Sequence, residues 1–251
     1  MNKATPRYFS LFNIQIDNLS MREAVEKVVF YRRQQYPQTI CFVNVNTLNL
    51  AKHTNDLTDA VNDANWVFPD GSGIRIAANC LNLQVRENVN GTDMLPKLCE
   101  RAVAAGKRIF LLGSKPGIAE SAADQLKQTH PGLEIAGTHH GYFNVNESSD
   151  VIEQINAAKT DILLIGFGSP IQEHWMQQNK VKLKVNTVLA VGGLFDFYSG
   201  QIPRAPLWLR RKGMEWIWRL LQEPRTKFHR YVIGNPIFLW RCFWHLRKAS
   251  A

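Results

Sequence analysis

Across residues 21–34 the apolar positions Met21, Ala24, Val25, Val28 and Val29 recur at helical spacing, which predicts an amphipathic helix after a short strand at 14–16. An apolar run at 39–43 stops at Asn44 and reads as a buried strand. A helical stretch over about 48–65, broken near His53-Thr54-Asn55, leads into the run Trp66-Val67-Phe68, which stops at Asp70. The rhythm then strengthens. Residues 108–113 run into Ser114-Lys115-Pro116-Gly117 and a helix, 161–166 into Phe167-Gly168-Ser169-Pro170 and a helix over 171–179, and 187–193 into Gly192-Gly193. Apolar runs that end in glycine and alternate with helices predict an α/β fold, a Rossmann-like, mostly parallel sheet with helices on both faces. Ligands of such sheets bind outside the carboxyl ends of the strands, so Asn44, Asp70, Gly113, Gly168 and Gly193 are expected on one rim.

A chain of 251 residues buries a full core without disulfides or a structural metal. Its four cysteines have no C-x-x-C spacing and read as reduced thiols, which favours a cytoplasmic setting. The first residues carry no apolar core of a secretory leader, and nowhere do about 18 apolar residues run together, so no spanning helix is expected. Charge changes the picture at the other end. The formal net charge of +9 lies wholly in 201–251, where 11 Lys and Arg face only Glu215 and Glu223, together with five of the seven tryptophans. This composition suggests an α/β catalytic domain over 1–200 and a basic, Trp-rich helical appendage over 201–251. Cations interleaved with indoles suit a lipid surface. Two other readings stay open: a nucleic-acid surface, disfavoured because the body is net neutral, and a helical lid with its tryptophans packed into the core.

Three glycine-rich turns between strand and helix can offer backbone N–H groups to a diphosphate, or can simply allow close packing. Neither G-x-G-x-x-G nor G-x-x-x-x-G-K-[ST] is present, which disfavours a nicotinamide-dependent oxidoreductase and a P-loop NTPase. His139-His140 has no ligand partner at metal-binding spacing and reads as a locally bonded pair. Asp70 is either the N-cap of the following helix or a rim general base. Asn44 caps a helix or meets a ligand, Gln172-Glu173 caps or hooks, and Asp196 between two aromatics calls for a partner.

The segments PDGSGI (69–74), NGTD (90–93), FLLGSKP (110–116), GTHHGYF (137–143), GFGSPIQE (166–173) and GGLFDFYSGQIPRAP (192–206), followed by GMEWIWRLLQEPRTKF, resemble in order and spacing the WecG/TagA/CpsF family of bacterial glycosyltransferases over about residues 12–230. The resemblance implies an inverting, metal-independent enzyme with no cofactor. It would move a sugar from a UDP-sugar, of N-acetylmannosamine, N-acetylmannosaminuronic acid or glucose type, to an undecaprenyl-diphosphate-linked saccharide. The setting implied is peripheral, at the inner face of the plasma membrane. By the same resemblance Asp70 is the catalytic base, Asn44, Gln172 and Asp196 line the pocket, and Arg219 of the appendage meets the diphosphate. Asn46, where the pattern after Asn44 differs, is counted with Asn88 among the expected substrate-binding residues. Asn88 stands where the family carries arginine, with Arg86 expected to reach the same phosphate. Thr226 and His229 stand at two further arginine positions, with Arg225, Lys227 and Arg230 adjacent and Arg225 taken as a substrate ligand.

Overall fold

The computed structural model describes residues 6–249; residues 1–5 and 250–251 of the two expected domains, and the side chains of 245–249, Arg247 and Lys248 of the basic tail among them, lie outside the described set. Strands β1 (Tyr8–Leu11) and β2 (Ile14–Asp17) form a hairpin, with Phe12 and Asn13 at φ 49° and 69°, a left-handed turn that matches the twist of the strands. Helix α1 (Met21–Phe30) begins at a capping box of Ser20 and Glu23 and ends four residues earlier than expected, because its apolar face runs out and Tyr31 is extended.

The main sheet is built from β3 (Gln38–Val43), β4 (Trp66–Pro69), β5 (Arg108–Gly113), β6 (Glu134–His139), β7 (Ile162–Gly166) and β8 (Thr187–Ala190). Its order is β4-β3-β8-β7-β5-β6, and every pairing is parallel. The helical connections are α2 (Val45–Ala51) and α3 (Asn55–Asn62), then α4 (Ser72–Cys80) and α5 (Gly91–Ala104), then α6 (Ile118–Thr129), α7 (Ser149–Ala157) and α8 (Ile171–Asn179), and, after β8, α9 (Leu194–Tyr198). The stretch expected as one broken helix over 48–65 is therefore two, and it starts earlier because Asn44 caps α2.

Strand side chains alternate between two cores. Cys41, Val43, Val188 and Ala190 point into a layer with residues of α2, α3, α4, α7 and α8, while Ile40, Phe42, Leu111 and Leu189 point into a layer with residues of α1, α5, α6 and α9. Burying each such aliphatic side chain contributes roughly 1.5–3 kcal/mol, which makes the sheet a rigid platform for its loops. At that platform's carboxyl edge, β5 leads outward to β6 whereas its neighbour β7 leads inward to β8. The diverging connections open a crevice at the strand ends.

Residues beyond 200 form α10 (Leu207–Arg211), α11 (Glu215–Gln222), α12 (Pro224–Phe228), a π-helical turn (His229–Ile233) and α13 (Gly234–Ala249). Helix α13 lies on α2 and α4, with Phe238 and Cys242 buried in the first core. Arg241 donates to Leu48 O at 2.9 Å near the end of α2 and lies 4.2 Å above the Phe12 ring, and Asn49 Nδ2 donates to Gly234 O at 2.8 Å. The tryptophans do not fill the core: Trp208, Trp216, Trp240 and Trp244 are exposed.

Candidate active site

The end of β4 delivers Asp70 to the rim beside Asn44. Asp70 N–H continues the sheet by donating to Val43 O at 2.9 Å, and its Oδ2 accepts from Asn44 Nδ2 at 3.0 Å. Asn44 Oδ1 caps α2, accepting from the N–H of Asn46 at 3.0 Å and of Thr47 at 3.2 Å. Asp70 is not a helix cap. Gly71 holds the N-cap position of α4 at φ 92°, with open space where a side chain would project, so the carboxylate is left to the cleft. Burial pushes the Asp70 carboxyl above its ordinary value, against the Asn44 bond and the positive charge of Arg230.

At the crevice, glycines have two distinct jobs. A Cβ on Gly113 would lie 2.6 Å from the Gly166 backbone, and one on Gly166 would lie 2.8 Å from Gly192 O, so these two exist for close packing of strand ends. Gly168, at φ 84°, faces open space. Gln172 is buried beneath the loops and its Oε1 accepts from Gly168 N–H at 3.2 Å and Gly192 N–H at 2.8 Å. Its acceptor is thus engaged by backbone and not held out to a ligand.

Asp196, in the first turn of α9, accepts from Ser114 Oγ at 3.3 Å and from Arg219 Nη2 at 3.2 Å. Arg219 is only 7% exposed, stacks 4.5 Å from the Phe197 ring and also pairs with Glu223. Its Nη1 has no hydrogen-bond partner among the described residues. Glu223 in turn pairs with Lys227 at 3.8 Å, and burial pulls the Lys227 ammonium below its ordinary value. From the π-helical turn, Tyr231 stands within electrostatic reach of Arg230, Arg219 and Asp70, and burial pushes its hydroxyl up. The appendage thereby joins the Asp70 pole to the Asp196 pole. Ser72 Oγ donates to Gly213 O at 2.7 Å, and Asp93 pairs with Arg204 at 2.8 Å and Arg210 at 3.8 Å; both contacts pin the appendage to the body.

The sequence profile described as the WecG/TagA/CpsF family of glycosyl transferases matches residues 9–251. The chain belongs to this family. It is similar to the N-acetylglucosaminyldiphosphoundecaprenol N-acetyl-beta-D-mannosaminyltransferase of Staphylococcus aureus, with 26% identity to the strain MW2 protein and 27% to that of strain COL. Each alignment covers 92% of this chain and 90% of the relative. A WecG/TagA/CpsF member is a glycosyltransferase, and the crevice and its cations are to be understood in those terms.

For this member of the WecG/TagA/CpsF family, two expected ligand positions, Arg86 and Arg225, are turned away from the cleft, and a third, Asn88, is engaged by backbone. Arg86 is paired with Glu23 at 2.9 Å, at the start of α1, and is not gathered with Asp70. Asn88 is gathered there, but as a brace: its Oδ1 accepts from Gly71 N–H at 2.7 Å. Arg225 is exposed, two residues from both Glu223 and Lys227 and hence on the opposite side of its helix. Lys227 and Arg230, the other two cations adjacent to those arginine positions, take the inward places instead, together with Tyr231 and Glu223, to which the resemblance assigns no role. For Glu223 the cue in the sequence was the four-residue spacing of Arg219, Glu223 and Lys227. His139 and His140 bond locally, His139 Nδ1 lying 2.7 Å from His140 O. Among the described residues no three His, Cys, Asp or Glu side chains gather as metal ligands.

Proposed function

We propose that the enzyme transfers N-acetylmannosamine from its UDP derivative to an undecaprenyl-diphosphate-linked N-acetylglucosamine, with inversion at the anomeric carbon. Family membership and the activity by which the staphylococcal relatives are named support this reading. The observation that carries it is the placement of one desolvated carboxylate, Asp70, in a cleft whose other wall is lined with appendage cations.

In this mechanism Asp70 removes the proton of the acceptor hydroxyl as that oxygen attacks the anomeric carbon. The bond from that carbon to the diphosphate oxygen breaks on the opposite face, and UDP departs. Desolvation brings the carboxyl closer to the working range of a general base. Arg219, with an unused Nη1, and Lys227 and Arg230 beside it, stabilise the charge that develops on the leaving diphosphate, a role that requires no metal.

The acceptor's lipid requires a surface. Within the described residues no helix is long and apolar enough to cross a membrane. Exposed Ile237, Leu239, Trp240, Phe243 and Trp244 on α13, next to Phe228, Val232 and Ile233, form a ridge suited to peripheral seating among headgroups at the cytoplasmic face. A panel of UDP-sugars, including the N-acetylmannosamine, its uronic acid and glucose, assayed against a short-chain polyprenyl-diphosphate N-acetylglucosamine with product mass as readout, tests the assignment. Transfer of glucose alone would overturn the donor, and a product that retains the donor's anomeric configuration would overturn the mechanism.

A further inference from the structure

Helix α8 opens with two buried polar side chains, Gln172 at 3% and Glu173 at 0% exposure. Gln172 Oε1 gathers the N–H groups of Gly168 and Gly192, one from the loop after β7 and one from the loop after β8. An amide has nearly the same shape either way round, so its orientation is set by its partners at both ends, here two N–H donors at one end and an acceptor at the other. That acceptor is Glu173, whose Oε1 accepts from Gln172 Nε2 at 2.9 Å and from Ser169 Oγ at 2.7 Å. With the amide reversed, an NH2 group would face two N–H donors, and both glycines would lose their acceptor.

The braced loops lead directly into the diphosphate side of the cleft. A Cβ on Gly193 would lie 3.1 Å from Asp196 Oδ2 and 3.4 Å from Arg219 Nη2, so movement of this loop displaces the pair that meets there. We propose that Glu173 is a positioning residue for the sugar-nucleotide site: by fixing the Gln172 amide it holds the loops after β7 and β8 at the separation at which Asp196 and Arg219 receive a nucleoside diphosphate. The proposal rests on the donor reading above. It goes beyond that reading by assigning work to a carboxylate that is wholly buried from solvent.

Reciprocal exchange on the full chain tests it. In Glu173→Leu the neighbouring amide loses its acceptor, and in Gln172→Glu two buried carboxyls face each other. In the double variant Gln172→Glu/Glu173→Gln one carboxylate again accepts both glycine N–H groups and the adjacent amide. Each single variant is expected to raise the donor KM, and the Kd for UDP by calorimetry, roughly 10- to 100-fold with acceptor KM unchanged. The double variant is expected to recover most of the loss. Singles that leave donor KM and UDP affinity at the wild-type level would overturn the proposal, as would a double variant no better than the worse single. Hydrogen exchange on the wild type adds a readout free of variant folding: the Gly168 and Gly192 amides should be protected although they lie in loops, and exchange at open-loop rates would overturn the brace. A wild type that transfers no UDP-sugar would sink the donor reading alone, because the exchange and UDP-binding measurements still report on Glu173.

Discussion

Asn44 holds Asp70 with the end of its amide that its own helix leaves unused: Nδ2 donates to the carboxylate at 3.0 Å while Oδ1 caps α2. Asn44→Asp separates the two functions, since an aspartate still caps the helix but sets a second carboxylate against Asp70. The Asp70 carboxyl should rise further, and the acid limb of the kcat/KM profile should move to higher pH with little change in melting temperature. A limb that stays in place would show that Asp70 does not control it.

Asp70→Asn should lower turnover roughly 10²- to 10⁴-fold at saturating substrates. Stability should respond in the opposite sense. The folded-state value of Asp70 is raised above 3.8, so its ionised form opposes folding; this penalty is absent below 3.8 and complete above the raised value. The variant should therefore melt at or above the wild-type temperature at pH 7, with the gap closing as pH falls toward 3.8. Calorimetric melts across that range check the sign, and a variant markedly less stable at pH 7 would contradict it.

Gly213 sits at φ 70°, and a Cβ there would lie 2.7 Å from Ser72 Cβ. Gly213→Ala should strain the backbone by about 1–3 kcal/mol and break the Ser72 contact that pins the appendage, so UDP affinity should fall together with stability. Gly106→Ala is the control, because φ is 59° there and nothing lies within 4 Å. Equal loss of UDP affinity in both variants would separate the contact from the cleft.

Replacing Trp240, Phe243 and Trp244 with serine should weaken binding to anionic vesicles and leave turnover of a soluble short-chain acceptor near the wild-type level. Vesicle binding unchanged by the triple variant would remove the membrane role of α13. Truncation after Leu207 is a poor substitute for this test, since it also deletes Phe238 and Cys242 and so uncovers the core against α2 and α4.

Where β3, β4, β5 and β7 stop was legible in the chain, because a parallel sheet buried on both faces demands uninterrupted apolar runs, whereas the run over 187–193 leaves the sheet already at Ala190. That placed Asn44 and Asp70 on one rim before any side-chain geometry was known. Other elements carried no such signal. Strand β6, with Glu134, Gly137 and Thr138 among its residues, is a half-exposed edge and lacks an apolar run. Arg225 was favoured over Lys227 and Arg230 because residue type is visible in a sequence while the rotation of a five-residue helix running into a π-turn is not. Similarly, Gln172 reads as a pocket residue until the two glycine N–H groups that occupy it are seen.

The cleft joins Asn44 and Asp70 to side chains at Arg219, Arg230 and Tyr231, and the contacts that seat α13 span up to 193 positions of chain. Contacts so distant in sequence are the slowest to form, because the loop they close is long. During synthesis Asn44 and Asp70 therefore emerge well before the residues that complete the other wall, and because β8 must arrive to join β3 to β7, the sheet closes only shortly before Arg219 emerges and the cleft is among the last parts of the chain to be finished.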